Sequence, residues 1–269
     1  MAASHVSINA AELAVHLVPL PALADNYIWL LHDDDGDAIV VDPGEADPVE
    51  QALATRKLKL RAILLTHHHG DHVGGAATLR QRHHVPVYAP DDARIDAATT
   101  RVHDGERITL SHPRAAFEVI AVPGHTQSHV AYFGEGVLLA GDTLFSMGCG
   151  RLFEGTPAQM LASLDRLAAL PADTLLCCGH EYTLANGRFA SEIEPGNAAL
   201  AARRQAVAAL REQDRPSLPV TLASELATNP FLRTDTPAVA AWCERQAGHA
   251  MDRVARFAAV RAAKDAFRA

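Results

Sequence analysis

The sequence has few of the features that mark a disulfide-stapled, exported or membrane-bound chain. Its 269 residues include only four cysteines, Cys149, Cys177, Cys178 and Cys243, with no C-x-x-C pair and one adjacent couple inside an expected strand. That excludes a disulfide frame and a zinc knuckle and leaves reduced, mostly buried thiols. No Lys or Arg precedes Arg56, so the start lacks the basic stretch that opens a secretory signal, and no apolar run approaches the ~18 residues of a membrane span. We expect a soluble, cytoplasmic protein with no membrane contact. Internal repeats and low-complexity tracts are missing too. The net charge of −8 is uneven: residues 1–185 hold 23 acidic and 12 basic side chains, and residues 186–269 hold 9 and 12. An acidic first part suits a site that holds cations. A mildly basic tail suits a small anionic substrate better than nucleic acid, which requires a denser basic face. With 48% hydrophobic residues, the chain can fill one large α/β domain with an appendage.

Histidine, by contrast, is concentrated. The segment Thr66-His67-His68-His69-Gly70-Asp71-His72 follows the apolar run Ala62-Ile63-Leu64-Leu65 and packs four imidazoles and a carboxylate into six residues. Neutral imidazole and carboxylate suit zinc, iron or manganese. In extended backbone, residues two apart face the same way, so His67 and His69 can grip one ion while His68 points elsewhere. Asp71 and His72 follow a glycine that can take unusual dihedrals and aim this pair at a second point.

Strands are expected over residues 14–20, 26–32 and 38–41, the last ending at Asp42-Pro43-Gly44, and a helix over 48–57. Asp42 either orients an imidazole from behind or simply opens the turn. Further on, three more apolar runs each end in a ligand-type side chain that follows a glycine: His125, Asp142 and His180. Strand ends that each deliver such a residue imply one sheet edge lined by them, which is where α/β proteins place their sites. Thr156-Pro157-Ala158-Gln159 reads as a helix start with a capping box. From about Asn186 the pattern turns helical and Ala/Arg-rich, which divides the chain into residues 1–183, of βαβ type, and residues 184–269, helical.

The candidates His67, His69, Asp71, His72, His125, Asp142 and His180 are too many for one tetrahedral zinc. Two ions sharing a carboxylate use all seven, and the sharing residue is Asp142, because a carboxylate bridges and an imidazole does not. Two adjacent cations also lower the pKa of a shared water from about 15.7 towards ~7, which points to hydrolysis.

The T-H-x-H-x-D-H run with the later His125, Asp142 and His180 resembles the metallo-β-lactamase superfamily. Within it the chain is similar to the glyoxalase II (hydroxyacylglutathione hydrolase) family. The blocks that carry the resemblance are Leu23-Ala24-Asp25-Asn26-Tyr27, Cys149-Gly150-Arg151-Leu152-Phe153-Glu154-Gly155-Thr156, Cys178-Gly179-His180-Glu181-Tyr182, Asn229-Pro230-Phe231-Leu232-Arg233 and Arg261-Ala262-Ala263-Lys264-Asp265. The resemblance implies an α/β fold, a four-layer αββα sandwich with a C-terminal helical domain. It also implies two divalent metal ions, zinc before iron or manganese: His67, His69 and His125 hold one, Asp71, His72 and His180 the other, and Asp142 bridges. The implied reaction is hydrolysis of S-D-lactoylglutathione to glutathione and D-lactate, the second step of methylglyoxal detoxification, by a hydroxide between the metals, with Asp71 or Asp142 handling the proton. Glutathione would be held by Arg151, Tyr182, Arg261 and Lys264, and the protein would act as a monomer. Phe153 stands where some relatives carry tyrosine; without the hydroxyl it is left out of the substrate set. The rival is an iron-dependent persulfide dioxygenase of the same fold, which would bind one iron through two His and an Asp and lack the basic helical tail.

Overall fold

The computed structural model describes residues 15–268. The first half builds one mixed sheet from β1 (His16–Ala22), β2 (Asn26–His32), β3 (Asp37–Val41), β4 (Lys59–Leu64), β5 (Val87–Pro90) and β6 (Thr100–Val102), in that spatial order. β1 to β3 run antiparallel, and β3 to β6 run parallel. Helices α1 (Asp47–Arg56), α2 (Gly70–Val73) and α3 (Ala76–His83) lie in the connections. The central strands are apolar where both faces are covered, over residues 28–31, 38–41 and 62–64. With the two-residue period of a strand, Trp29, Leu31, Ile39, Val41 and Leu64 turn to the core between the sheets. Ile28, Leu30, Val40 and Ile63 turn to a second core under Val49 and Leu53 of α1 and Leu79 of α3.

The second sheet contains β7 (Arg107–Ser111), β8 (Arg114–Ala121), β9 (Val130–Gly134) and β10 (Val137–Gly141). After the small hairpin of β11 (Leu144–Phe145) and β12 (Gly148–Cys149) and the helix α4 (Pro157–Ala168), the chain returns to this sheet as β13 (Leu175–Cys178). The spatial order is β14-β13-β10-β9-β8-β7, where β14 (Val220–Thr221) belongs to the tail. α4 starts with the expected capping box, Thr156 and Gln159 each bonding the other's backbone N–H, and buries Met160, Leu161, Leu164 and Leu167. The tail adds α5 (Thr183–Ile193), α6 (Ala198–Arg211), α7 (Leu222–Thr228), α8 (Pro237–Ala247) and α9 (Arg253–Ala266). The four layers run helix, sheet, sheet, helix, and all four cysteines are free and buried.

Two local expectations are corrected. Gly70 does not turn the chain through unusual dihedrals: it has no positive φ, a Cβ there would meet nothing, and the redirection comes from α2 beginning at that residue. The tail is not wholly helical, because β14 pairs with β13 at the edge of the second sheet. Its first helix begins at Thr183. Ala14, the expected start of the first strand, lies outside the described residues.

Candidate metal centre and substrate cavity

The seven candidate side chains meet at the carboxyl ends of β4 and β10, at the end of β13 and in the loop after β8. Three nitrogens, Nε2 of His67, Nδ1 of His69 and Nε2 of His125, lie 3.1 Å and 3.0 Å apart about His69. Burial pushes the pKa of each imidazole down, that of His69 to about 4, so all three are neutral. Neutral imidazoles aiming nitrogens at one another do not satisfy each other. A cation between them does, and donors about 2.0–2.1 Å from a tetrahedral ion sit roughly 3.3 Å apart. Beside them, Nε2 of His72 and Nε2 of His180 stand 3.5 Å and 3.4 Å from Oδ2 of Asp71. Asp142 faces both groups: 3.6 Å to His125, 3.3 Å to His180 and 3.4 Å to His72.

Charge demand at the second group is strong. Burial alone would lower the pKa of His72 and His180, yet Asp142 and Asp42 raise that of His72, and Asp142 and Asp71 raise that of His180 to about 10. Asp71 is held well below the usual carboxylate range, first by its bond to His180; Asp142 is held low by His72 and His180 against the effect of burial. Nε2 of His72 and Oδ1 of Asp142 are buried without a hydrogen-bond partner. Buried, unpaired donor atoms of imidazole and carboxylate around a common point fit a divalent cation.

Four of the imidazoles are held from behind at Nδ1, which leaves Nε2 for the site. Asp42 accepts from Nδ1 of His72 (3.0 Å), Asp25 from His180 (2.8 Å), the Arg151 carbonyl from His125 (2.9 Å), and the Thr66 hydroxyl from His67 (3.0 Å). Asp42, His67 and His72 also lie close enough together to share an ion. The carboxylate of Asp42, however, is already taken by the N–H and hydroxyl of Thr66 and by His72, so its place is behind the imidazole, the first of the two readings its sequence position allowed. Asn26 donates to Asp71 at 3.0 Å. His129 went unrecognised in the sequence because it lacks ligand spacing. It is buried, stacks on His67 with ring centroids 4.6 Å apart, and accepts the Asp142 N–H at 3.1 Å. Gly141 and Gly179 make this crowding possible. A Cβ on Gly141, where φ is +49°, would sit 2.4 Å from Thr66 Oγ1, and one on Gly179 would sit 2.4 Å from Asp142 Oδ1.

Five of the donors, His69, Asp71, His125, Asp142 and His180, line a cavity of about 470 Å³, within the range of small-molecule sites, and His67 and His72 are buried behind them. Arg151, Tyr182, Arg261 and Lys264 all line it. Tyr182 stacks flat on His180, with centroids 4.7 Å apart. Arg151 is exposed, with its nearest carboxylate, Asp265, at 3.5 Å. Lys264 lies half-buried over the rings of Phe189 and Phe267, its pKa lowered by burial and by Arg261 and Arg151. Arg261 differs from a solvated surface charge: it is buried, gives one Nη to the Cys149 carbonyl at 2.7 Å and the other to Asp265 at 3.0 Å, and sits over Phe231. Phe153, left out of the substrate set, also lines the cavity; its ring is edge-on to His69 and His125 at 5.7 Å and 5.2 Å, so apolar area gives it a place at the site that the hydroxyl argument overlooked.

Residues 25–180 match the metallo-β-lactamase superfamily, and residues 181–267 match the hydroxyacylglutathione hydrolase C-terminus. A hydroxyacylglutathione hydrolase of Xanthomonas euvesicatoria is 54% identical over 94% of this chain and 100% of its own length. One from Cupriavidus metallidurans is 52% identical over 93% of this chain and 98% of its own. Among solved structures, the BLEG-1 B3 metallo-β-lactamase superposes with a TM-score of 0.62 at 25% identity, covering 81% of this chain and 99% of that one. TTHA1623 in a di-iron-bound form superposes with a TM-score of 0.57 at 28% identity, over 81% and 100%. ETHE1 from Myxococcus xanthus, at 23% identity and a TM-score of 0.62 over 94% and 98%, shares the fold. With both halves matched and relatives more than half identical along nearly the whole length, the chain belongs to the hydroxyacylglutathione hydrolase family of the metallo-β-lactamase superfamily.

Proposed function

We propose that the protein hydrolyses the thioester of S-D-lactoylglutathione and related S-2-hydroxyacylglutathiones to glutathione and the 2-hydroxy acid. The observation that carries this reading is the pairing of two donor groups about Asp142 with a basic wall on the other side of the same cavity. His67, His69 and His125 would hold one divalent ion and Asp71, His72 and His180 a second, with Asp142 shared; zinc suits this donor set best. The related structure in a di-iron-bound form supports a pair of ions in this fold. When bound, the ions supply an acidified water and polarise the thioester carbonyl.

The chain's own residues do the rest. Among the described residues, Arg151 and Arg261 pair with one carboxylate, Asp265, so the wall they form with Lys264 has positive charge to spare for the two carboxylates of glutathione. Tyr182 and Phe153 give the apolar sides between which the thioester lies. Glutathione leaves as a thiolate, whose low pKa spares the site a strong general acid. Asp71 and Asp142 are the carboxylates beside the reacting centre, and one of them handles the spare proton; Asp71 is the more exposed, 38% against 9%. Residues 1–183 then form the catalytic unit, and residues 184–269 add the basic wall. A one-iron dioxygenase would leave one donor group and the basic wall without a task. The test is to add S-D-lactoylglutathione to metal-loaded protein and follow the thioester absorbance. Its loss, with one thiol released per acid formed, is expected; oxygen consumption on a glutathione persulfide without thioester hydrolysis would overturn the reading.

A further inference from the structure

Between Asp142 and Arg151 the chain forms β11, a turn at Ser146 and Met147, and β12, and every residue from 142 to 150 is buried. Each strand has two residues and pairs only with the other, so most polar groups of the turn have no sheet to bond. Met147 has a φ of +54°, a conformation that a methionine does not hold unaided. The bonds come instead from the tail. Glu225 on α7, fully buried, accepts the Ser146 hydroxyl at 2.8 Å with one oxygen and the Met147 N–H at 2.7 Å with the other. Asn229, which ends α7, donates to the carbonyls of Phe145 (3.1 Å) and Gly148 (2.9 Å) and to Glu225 (3.1 Å), while its own oxygen accepts the Phe231 N–H. Asn186 on α5 donates to the Ser146 carbonyl at 3.1 Å.

We propose that Glu225 and Asn229 are positioning residues for substrate binding, holding from the helical tail the hairpin that forms the cavity wall between Asp142 and Arg151. The proposal rests on the thioester-hydrolase reading. The two ends of the hairpin are secured differently. Asp142 is fixed by His129, and Thr143 N–H bonds the Ala140 carbonyl. The wall residues Phe145 and Cys149 depend on the tail, and Phe145 in turn packs edge-on to His180 and Tyr182 at 5.9 Å and 5.3 Å. Loosening the turn therefore displaces the wall and leaves the metal donors in place.

In the metal-loaded enzyme, Glu225→Ala is expected to raise KM for S-D-lactoylglutathione about tenfold and to change kcat by less than about threefold. Metal content should be unchanged, and amide exchange should quicken over residues 143–150 but not in β2 to β4. Glu225→Gln keeps an acceptor for the Met147 N–H and should bring KM back to within about twofold of the wild type. An unchanged KM, with kcat falling only in step with the folded fraction, would overturn the proposal, since a purely structural role predicts that. If Glu225→Ala does not fold, Ser146→Ala removes a single bond and should raise KM about two- to threefold; no rise overturns the proposal. Wild-type protein gives a further arm: amide exchange at Met147 as slow as in β10 is expected, and fast exchange overturns it. If the wild type leaves the thioester intact, the functional reading fails, while the exchange measurement still decides whether the tail holds the hairpin.

Discussion

On the metal side of the cavity, each of His67, His72, His125 and His180 has a second group bonded to its far nitrogen, so the donors are fixed before anything binds. On the facing wall, Arg151 is exposed and Lys264 rests on aromatic rings with no carboxylate bonded to it among the described residues. One side is rigid and wired from behind; the other presents cations with donors to spare. The difference matches what each must do. Reactive groups lose rate when misplaced by an ångström, whereas a mobile peptide-like ligand is met by side chains that adjust.

Two substitutions separate the two sides, and a third bears on neither. The largest effect is expected at Asp42→Asn, which removes the charge behind His72 without touching the cavity: metal affinity, measured by competition with a chelator, should fall about 10–100-fold. Full affinity would mean that the rear bonds are incidental. Next, Lys264→Ala should raise KM about tenfold at nearly constant kcat, because it removes one charge-assisted contact to the substrate and nothing from the reacting centre. An equal loss in kcat would place Lys264 with the reacting groups and blur the division.

The smallest effect concerns a cluster beside the metal loop that belongs to neither side. Arg94 bonds both oxygens of Asp92 and reaches Glu154, and first through these bonds the pKa of each carboxyl is held below its ordinary value. Because the folded pKa lies under the unfolded one, this stabilisation is present above about pH 4 and is lost as the pH falls through the folded value. Arg94→Met raises the folded pKa of Asp92, so the acid-unfolding midpoint should move up by a fraction of a pH unit, with kcat and KM at neutral pH unchanged. A midpoint that stays put would show the cluster to be neutral for stability.

How much of this was legible in the sequence follows from chain distance. The donors were readable because T-H-x-H-x-D-H sits in one loop and His125, Asp142 and His180 each end an apolar run after a glycine. Asp42 was readable as an orienting group only as one of two alternatives, since nothing local says where a carboxylate 24 residues before Thr66 will point. Asp25, 155 residues from His180, and His129 gave no signal, because their partners are brought by the pairing of sheets and strand ends. The hairpin of β11 and β12 and the short β14 are too brief for a period to register, and they exist through tertiary bonds. Arg261 was placed at the substrate by the resemblance alone, and nothing local showed its bond to the Cys149 carbonyl, which spans 112 positions.

Metal-stripped protein titrated with zinc, with S-D-lactoylglutathione hydrolysis and bound metal followed together, addresses the paired site most directly. Activity should climb until two ions are bound per chain and level off there, with Asp142→Ala binding less metal and showing no hydrolysis. Full activity reached at one ion per chain, with no further gain from a second, would contradict it.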